Sequence, residues 1–281
     1  MSFQPITPLG GLPGWNFLRR TQANQRAAFD RSPELQRRIS HFKAVIASVK
    51  TPQDLTRDRE ALMVALGAFG LDADLNKGFF IRKVLSEGVT NPRSFANRLA
   101  DKHYANFSRA FGFGDPGGPL TAKSGFANKI IEAYRTRQFE IAVGKSDPSL
   151  RLALGFRREI SGIAAQSGNG NTKWYRILGS PPLRKVIEEA LHLPKSFASL
   201  KLERQISTLK DRIFGLYGSS SVDVFSKAGN VEKMIRLFLV ARDLSGHSTR
   251  HDPSSAALTI LSDKSSSNGS DPMAAIFSAL Y

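Results

Sequence analysis

Residues Ile81–Ala96 read IRKVLSEGVTNPRSFA, and residues Leu183–Ala198 read LRKVIEEALHLPKSFA. Without a gap, 8 of the 16 positions are identical, where average residue usage gives about one by chance. Other positions exchange like for like, as in Ile81/Leu183, Leu85/Ile187 and Arg93/Lys195. The match resumes after a one-residue slip, with RAFGF at 109–113 against RIFGL at 212–216. The pattern predicts a duplicated helical unit. In one copy Ile81, Val84, Leu85, Gly88 and Val89 recur at i, i+3, i+4, i+7 and i+8; in the other Leu183, Val186, Ile187, Ala190 and Leu191 do the same. Each set makes one wide apolar helix face. Pro92 and Pro194 end that helix and are expected to open the next at its first position. Phe95 and Phe197 then stand where a ring can anchor the second helix to the first. The two apolar faces are expected to pair about a pseudo-twofold axis, each burying what the other exposes.

Outward from the repeat, helical signals dominate. Thr51-Pro52 with Asp54 reads as an N-cap, a first-turn proline and an acid that suits the helix dipole, opening a helix whose face carries Leu55, Leu62, Ala65, Leu66 and Phe69. Ala127, Ile130, Ile131, Tyr134 and Phe139 form a second stripe between Thr121 and about Gly144. Arg98–Phe113 reads as helix, and Asp147-Pro148 opens another through Leu152, Leu154 and Ile160. Asn230 is the expected cap of a helix bearing Val231, Met234, Ile235, Phe238 and Leu239. No stretch alternates with β-branched enrichment between hairpin turns, so no sheet is expected. The fold class is all-α and multihelical.

Breaks fall at Gly112–Gly118 (GFGDPGG), Ser167–Asn171 (SGNGN) and Gly218–Ser221 (GSSS). They divide the chain into a first helical unit over 1–117 (core motif 81–113), a second over 118–245 (core motif 183–216) and a Ser-rich tail over 246–281. In that tail Ser265–Ser270 reads as a linker, followed by a short apolar helix, MAAIFSALY.

The chain has 281 residues, 40 Lys+Arg against 24 Asp+Glu, a formal net charge of +16 and no cysteine. That length is ample for a hydrophobic core, and the missing cysteines exclude disulfides, thiolate catalysis, Fe–S clusters and Cys-based zinc sites. The longest apolar stretch, Ala61–Leu71, is far short of a membrane span, and MSFQPITPLGGLPGW at the start shows no secretory signal. No membrane insertion is expected. The basic excess is spread over the body and absent from residues 251–281, where Lys264 meets Asp252, Asp263 and Asp271. A nucleic-acid footprint is usually a concentrated stripe beside a recognisable module, and neither is visible. A solvated basic surface is the plainer reading.

Catalytic, cofactor and metal motifs fail on inspection. Gly117–Ser124 (GGPLTAKS) misses a phosphate loop because Ala122 stands where a glycine is needed, and it follows a helix rather than a strand. His247 and His251 with Asp252 lack a third scaffolded ligand. His41, His103 and His192 assemble into no triad, while Trp15 and Trp174 read as packing anchors. No catalytic residue, cofactor site or metal site is assigned, and the chain is not expected to be an enzyme. The candidate partner-binding residues are the shared basic pairs, Arg82-Lys83 and Arg184-Lys185, and the terminal apolar set Met273, Ile276, Phe277 and Leu280. Against a functional reading of the pairs, Glu188 and Glu189 lie one turn on and neutralise one of them, as Glu87 does for Lys83.

SFQPITPLGGLPGWNFLRRT, ALGAFGLDADLNKGFFIRKVLSEG, ANRLADKHYANFSRAFGFG, YRTRQFEIAVG and WYRILGSPPLRKVIEEALHLPKSF together resemble one bacterial family, domain-of-unknown-function family 1217. The resemblance covers roughly residues 2–245. It implies a predominantly helical protein whose relatives are often encoded within flagellar gene clusters, and it carries over no catalytic or binding residues. The expectation that follows is a non-enzymatic interaction protein of flagellar assembly or function. Its partners would be flagellar proteins, and its place the cytoplasm or, by export without a cleavable signal, the flagellum. Deleting residues 265–281 is then expected to weaken partner capture while the body stays folded by circular dichroism; a fallen melting temperature would make the tail core instead. The alternative is an anion- or nucleic-acid-binding protein using the basic body.

Overall fold

The computed structural model describes residues 3–168 and 170–248. Among them there are thirteen α-helices and no strand, and no helix is long and apolar enough to cross a membrane. The helices are α1 (Gly11–Asp30), α2 (Pro33–Val45), α3 (Pro52–Arg57), α4 (Arg59–Phe69), α5 (Gly78–Ser86), α6 (Phe95–Arg98) and α7 (His103–Phe111). They continue with α8 (Phe126–Ser146), α9 (Pro148–Ala165), α10 (Gly170–Leu178), α11 (Pro181–Ala190), α12 (Leu202–Tyr217) and α13 (Ala228–Ser248). The described residues up to Ala241 form one compact unit.

Local chemistry sets the helix ends. Thr51 accepts the Asp54 N–H at 3.1 Å while the Asp54 carboxylate accepts the Thr51 N–H at 2.9 Å, a reciprocal capping box. The helix expected to run from there to Phe69 is in fact two. The backbone leaves helical geometry at Asp58, whose carboxylate caps α4 through the Ala61 N–H at 2.9 Å. Leu55, Leu62, Ala65 and Leu66 are still buried as the spacing predicts. Asp147 caps α9 through the Ser149 N–H at 2.7 Å, and its other oxygen accepts the Gly11 N–H at 3.0 Å, tying the start of α1 to that of α9.

Three further expectations are corrected. The stretch Arg98–Phe113 is not one helix: α6 ends at Arg98 and α7 begins at His103. Asn230 lies inside the first turn of α13 instead of capping it, and its amide donates to the Val224 carbonyl at 2.8 Å. Neither Pro92 nor Pro194 opens a helix at its first position. Pro92 lies in the turn before Ser94, the cap residue of α6, and Pro194 is itself the residue preceding a 3₁₀ turn, Lys195–Ser199. An extended ψ of 155° at Pro194 keeps it outside the helix.

Both copies of the repeat follow the same local course: helix, proline turn, one short turn carrying the phenylalanine, then a longer helix. Ile81, Val84 and Leu85 are buried in one copy, and Leu183, Val186 and Ile187 in the other. Phe95 packs edge-on against Phe80 of α5 at 5.4 Å between ring centres, and Phe197 is buried in the cluster that holds Leu183. The expected face-to-face pairing of the copies is not what buries them. The face of α5 lies in a core built from α2 to α8, from Leu35 to Tyr134. The face of α11 lies in another, which includes Trp15 and Leu18 and runs from Phe139 to Leu239. The cores meet inside α8, between Tyr134 and Phe139, rather than at the 117/118 boundary read from the Gly/Pro loop.

The anchors behave as their chemistry requires. Trp15 and Trp174 are fully buried, and each indole N–H finds an acceptor, Glu232 at 3.0 Å and the Ser220 carbonyl at 3.3 Å. Gly112–Gly118 is a loop, as expected, and it folds back onto the end of α5. A Cβ on Gly114 would stand 2.3 Å from the Gly88 nitrogen and from the Ser86 oxygen, so only glycine fits there. Asp115 fastens the approach, its Oδ1 accepting the N–H groups of Val89 and Thr90 at 2.8 and 3.0 Å.

Candidate functional site

The seam between the two cores is where charge collects. Asp101 and His103 come from the start of α7, Arg137 and Glu140 from the middle of α8, and Arg158 and Glu159 from the middle of α9. His103 Nδ1 lies 2.7 Å from Asp101 Oδ1, and its Nε2 lies 3.6 Å from Glu159 Oε1. The same Glu159 oxygen takes Arg158 at 3.0 Å and Arg137 at 3.2 Å. Arg158 turns the other edge of its guanidinium to Glu140, at 2.7 and 3.0 Å, a two-point grip.

The network fixes the protonation of its members. Burial works against a charged imidazole, but the hydrogen bonds and negative charges of Asp101 and Glu159 outweigh it and raise His103 from 6.5 to about 9. Burial likewise works against the Glu159 carboxylate, yet His103, Arg158 and Arg137 bring it from 4.5 down to about 2. Near neutral pH the site therefore holds an imidazolium between two carboxylates. A charged His103 has no lone pair to accept a proton, so the arrangement suits holding three helices together better than general-base chemistry.

Beside this network a more open cleft of 820 Å³ lies between α7 and the C-terminal end of α9. Lys102, Arg109 and Arg176 line it with Asn106 and Gln166, and no carboxylate does. A second hollow, sharing Asn106 and Gln166 with it, leads to His103 and Glu159. The seam thus has an ion-paired centre and a purely cationic end.

The residues singled out from sequence lie elsewhere. Arg82 and Lys83 sit on the outer side of α5, where Arg82 reaches Thr56 at 3.5 Å and the Lys83 ammonium stands 4.9 Å from the centre of the Phe95 ring. The expected neutralisation of Lys83 by Glu87 is replaced by another contact: Glu87 accepts the Phe95 N–H at 2.6 Å. Arg184 pairs with Glu188 at 2.6 Å and Lys185 with Glu189 at 3.9 Å, as their spacing predicts. Lys185 also rims a hollow of 380 Å³ beside the ion network. Met273, Ile276, Phe277 and Leu280, with His251 and Asp252, lie outside the described residues. Gly117–Ser124 is the loop before α8, with the Thr121 hydroxyl donating to the Val49 carbonyl at 2.6 Å. Among the described residues no group of three His, Asp or Glu is placed to hold a metal.

Sequence reasoning passed over the seam. Its signals were Asp101-Lys-His103, two residues apart before a helix, and Arg158-Glu159 interrupting the apolar run of α9. Charges inside an apolar helix read as surface until a second helix supplies their partners.

The family described as "Protein of unknown function (DUF1217)" matches residues 68–233, a narrower span than the resemblance read from sequence, but one that holds both repeat copies and the seam. The crystal structure of protein AGR_C_984 from Agrobacterium tumefaciens is similar to this chain, with a TM-score of 0.70 and 21% sequence identity over 86% of this chain and 99% of that one. At that identity the likeness shows a shared fold. No curated protein matches the chain.

Proposed function

This chain belongs to the DUF1217 family of proteins of unknown function, and from that premise we propose that it is a non-enzymatic helical interaction protein of flagellar assembly or function. Its partner face is the outer side of α5. One observation carries the reading: Phe79 is 77% exposed, and Arg82 and Lys83 follow it at i+3 and i+4 on the same helix. An aromatic ring left in water beside two cations suits a partner surface that is apolar with an acidic rim. Burying that ring stabilises a complex by about 1.5–3 kcal/mol.

The second repeat copy does not offer the same face. Pro181 stands at the position of Phe79, and both following cations are paired with Glu188 and Glu189. The flagellar part of the proposal rests on the genomic setting that the family resemblance implies. An in-frame deletion in the native host is expected to lose flagella or swimming and to be complemented by the intact gene. Phe79→Asp with Lys83→Glu is expected to fail as a complement at normal protein level. Full flagellation and normal swimming in the deletion strain would remove the proposal.

A second reading, binding of anions or nucleic acid by the basic body, is favoured by the carboxylate-free lining of the cleft at Lys102, Arg109 and Arg176.

A further inference from the structure

We infer that the cleft between α7 and the end of α9 is a binding site for a phosphorylated small molecule of nucleotide size. The inference goes beyond the α5 face and rests on the second reading, which it narrows to one place and one ligand class. Size comes first: 820 Å³ lies within the roughly 300–1,000 Å³ typical of small-molecule sites.

Charge comes next. At the neighbouring centre of the seam cations are matched to carboxylates: Arg137 to Glu159, and Arg158 to Glu140 and Glu159. Among the described residues, Lys102, Arg109 and Arg176 have no carboxylate within ion-pair distance. Asp115 feels the charge of Arg109, but its Oδ1 is committed to Val89 and Thr90 and it does not line the cleft. A concave surface lined by one sign of charge concentrates counter-ions.

Two of the cations are already held. Lys102 Nζ donates to the carbonyls of Asn97 and Leu99 at 2.9 and 2.8 Å, leaving one N–H of three free. Arg109 donates from one nitrogen to Asn106 Oδ1 at 3.1 Å, leaving the rest of its fork unused. Less side-chain freedom is then lost when an anion arrives. Between the cations, Ala105, Ile163 and Ala165 give an apolar wall and Gln166 a hydrogen-bonding edge. The cations suit a phosphate, and the wall suits a flat or apolar group attached to it. A long nucleic acid is disfavoured because the cationic lining stops at the ion-paired centre of the seam, where an extended strand needs a continuing basic track.

The test is titration calorimetry of the full chain with ADP, pyrophosphate and inorganic phosphate, at low and at physiological salt. ADP is expected to bind more tightly than pyrophosphate, and pyrophosphate more tightly than phosphate. Arg176→Ala and Arg109→Ala are each expected to weaken ADP binding about ten-fold or more, with circular dichroism and melting unchanged. Phe79→Asp should leave ADP binding as it was, so failure of the α5-face reading and failure of this one are told apart. Absence of ADP binding, or ADP binding indifferent to both arginine variants, overturns the inference. Pyrophosphate binding as tightly as ADP removes the role of the apolar wall and with it the nucleotide-sized ligand. A mixed-sequence oligonucleotide that binds through Arg109 and Arg176 where ADP does not would reassign the cleft to nucleic acid.

Discussion

The α5–α7 segment and the α11–α12 segment are close in sequence and diverge where their surroundings differ. At the position where the first has Gly88, the second has Ala190. Gly88 lies beyond the end of α5 with φ +64°, pressed against Gly114, so the predicted apolar positions Gly88 and Val89 are off the helix. Ala190 is the last residue of α11 and is packed in the second core. Gly88 takes the left-handed conformation just past the cap residue Glu87 and ends the first helix, and loop 112–118 packs into the space its missing Cβ leaves. The two copies keep the helix face and the phenylalanine anchor and part where glycine stands for alanine.

The largest test asks whether the two cores, though separate clusters, unfold as one. Ile81→Ala and Leu183→Ala each remove a fully buried side chain, one from each core, and each is expected to cost about 3–4 kcal/mol. Because α8 runs unbroken through both clusters, both variants should still melt in one transition, followed by differential scanning calorimetry. Two resolved transitions would mean that the copies are independent domains.

The ion network, which joins α7 of the first copy to α8 and α9, comes next. With His103 raised to about 9 from 6.5, its contribution is full below pH 6.5 and is lost as pH rises through 9. With Glu159 lowered to about 2 from 4.5, its contribution is full above pH 4.5 and is lost as pH falls toward 2. Stability should therefore be greatest between about pH 4.5 and 6.5 and fall by about 2–3 kcal/mol toward pH 9. His103→Gln, compared with the parent by urea denaturation across that range, should flatten the alkaline fall; an unchanged fall would take His103 out of the linkage.

The fold was legible in the sequence where an apolar stripe met a capping residue, as at Thr51 and Asp147, and where the stripe itself was regular, as at Ile81–Leu85. It was not legible where an element ends for reasons outside itself. The break at Asp58 comes from a carboxylate that both caps α4 and meets His41 at 2.7 Å, and nothing in the local apolar pattern marks it. The burial of the two repeat faces was foreseen, but not what covers them, since the covering helices carry no sign of the repeat. The seam stayed hidden for the same reason. His103, Arg137 and Glu159 become one site only when α7, α8 and α9 converge.

A finer contrast uses the glycine shared by RAFGF and RIFGL. Gly112 ends α7 with φ +71°, and a Cβ there would lie 2.8 Å from the Gly118 oxygen. Its counterpart Gly215 is an exposed residue inside α12, with open space where a Cβ would go. Gly112→Ala is expected to destabilise by about 2 kcal/mol, and Gly215→Ala to stabilise by about 0.8 kcal/mol. Equal effects in chemical denaturation would mean that the slip in the repeat has no structural counterpart.

The smallest contrast concerns the basic pairs themselves. Both copies keep a cation near the anchoring ring, but from adjacent positions: Lys83 lies 4.9 Å from the centre of Phe95, and Arg184 lies 6.0 Å from that of Phe197. Arg184 is also paired with Glu188 at 2.6 Å, whereas Glu87, the acid one turn beyond Lys83, serves the Phe95 backbone. Arg184→Ala therefore removes two contacts and Lys83→Ala mainly one, with expected costs of about 1 and about 0.5 kcal/mol. The salt response should separate them further. A partly exposed ion pair such as Arg184–Glu188 still weakens with added salt, so raising ionic strength should shrink the Arg184→Ala cost toward that of Lys83→Ala. A cost at Lys83 as large as that at Arg184, with the same salt dependence, would show that Glu87 neutralises Lys83 in solution after all and that the two copies are electrostatically alike.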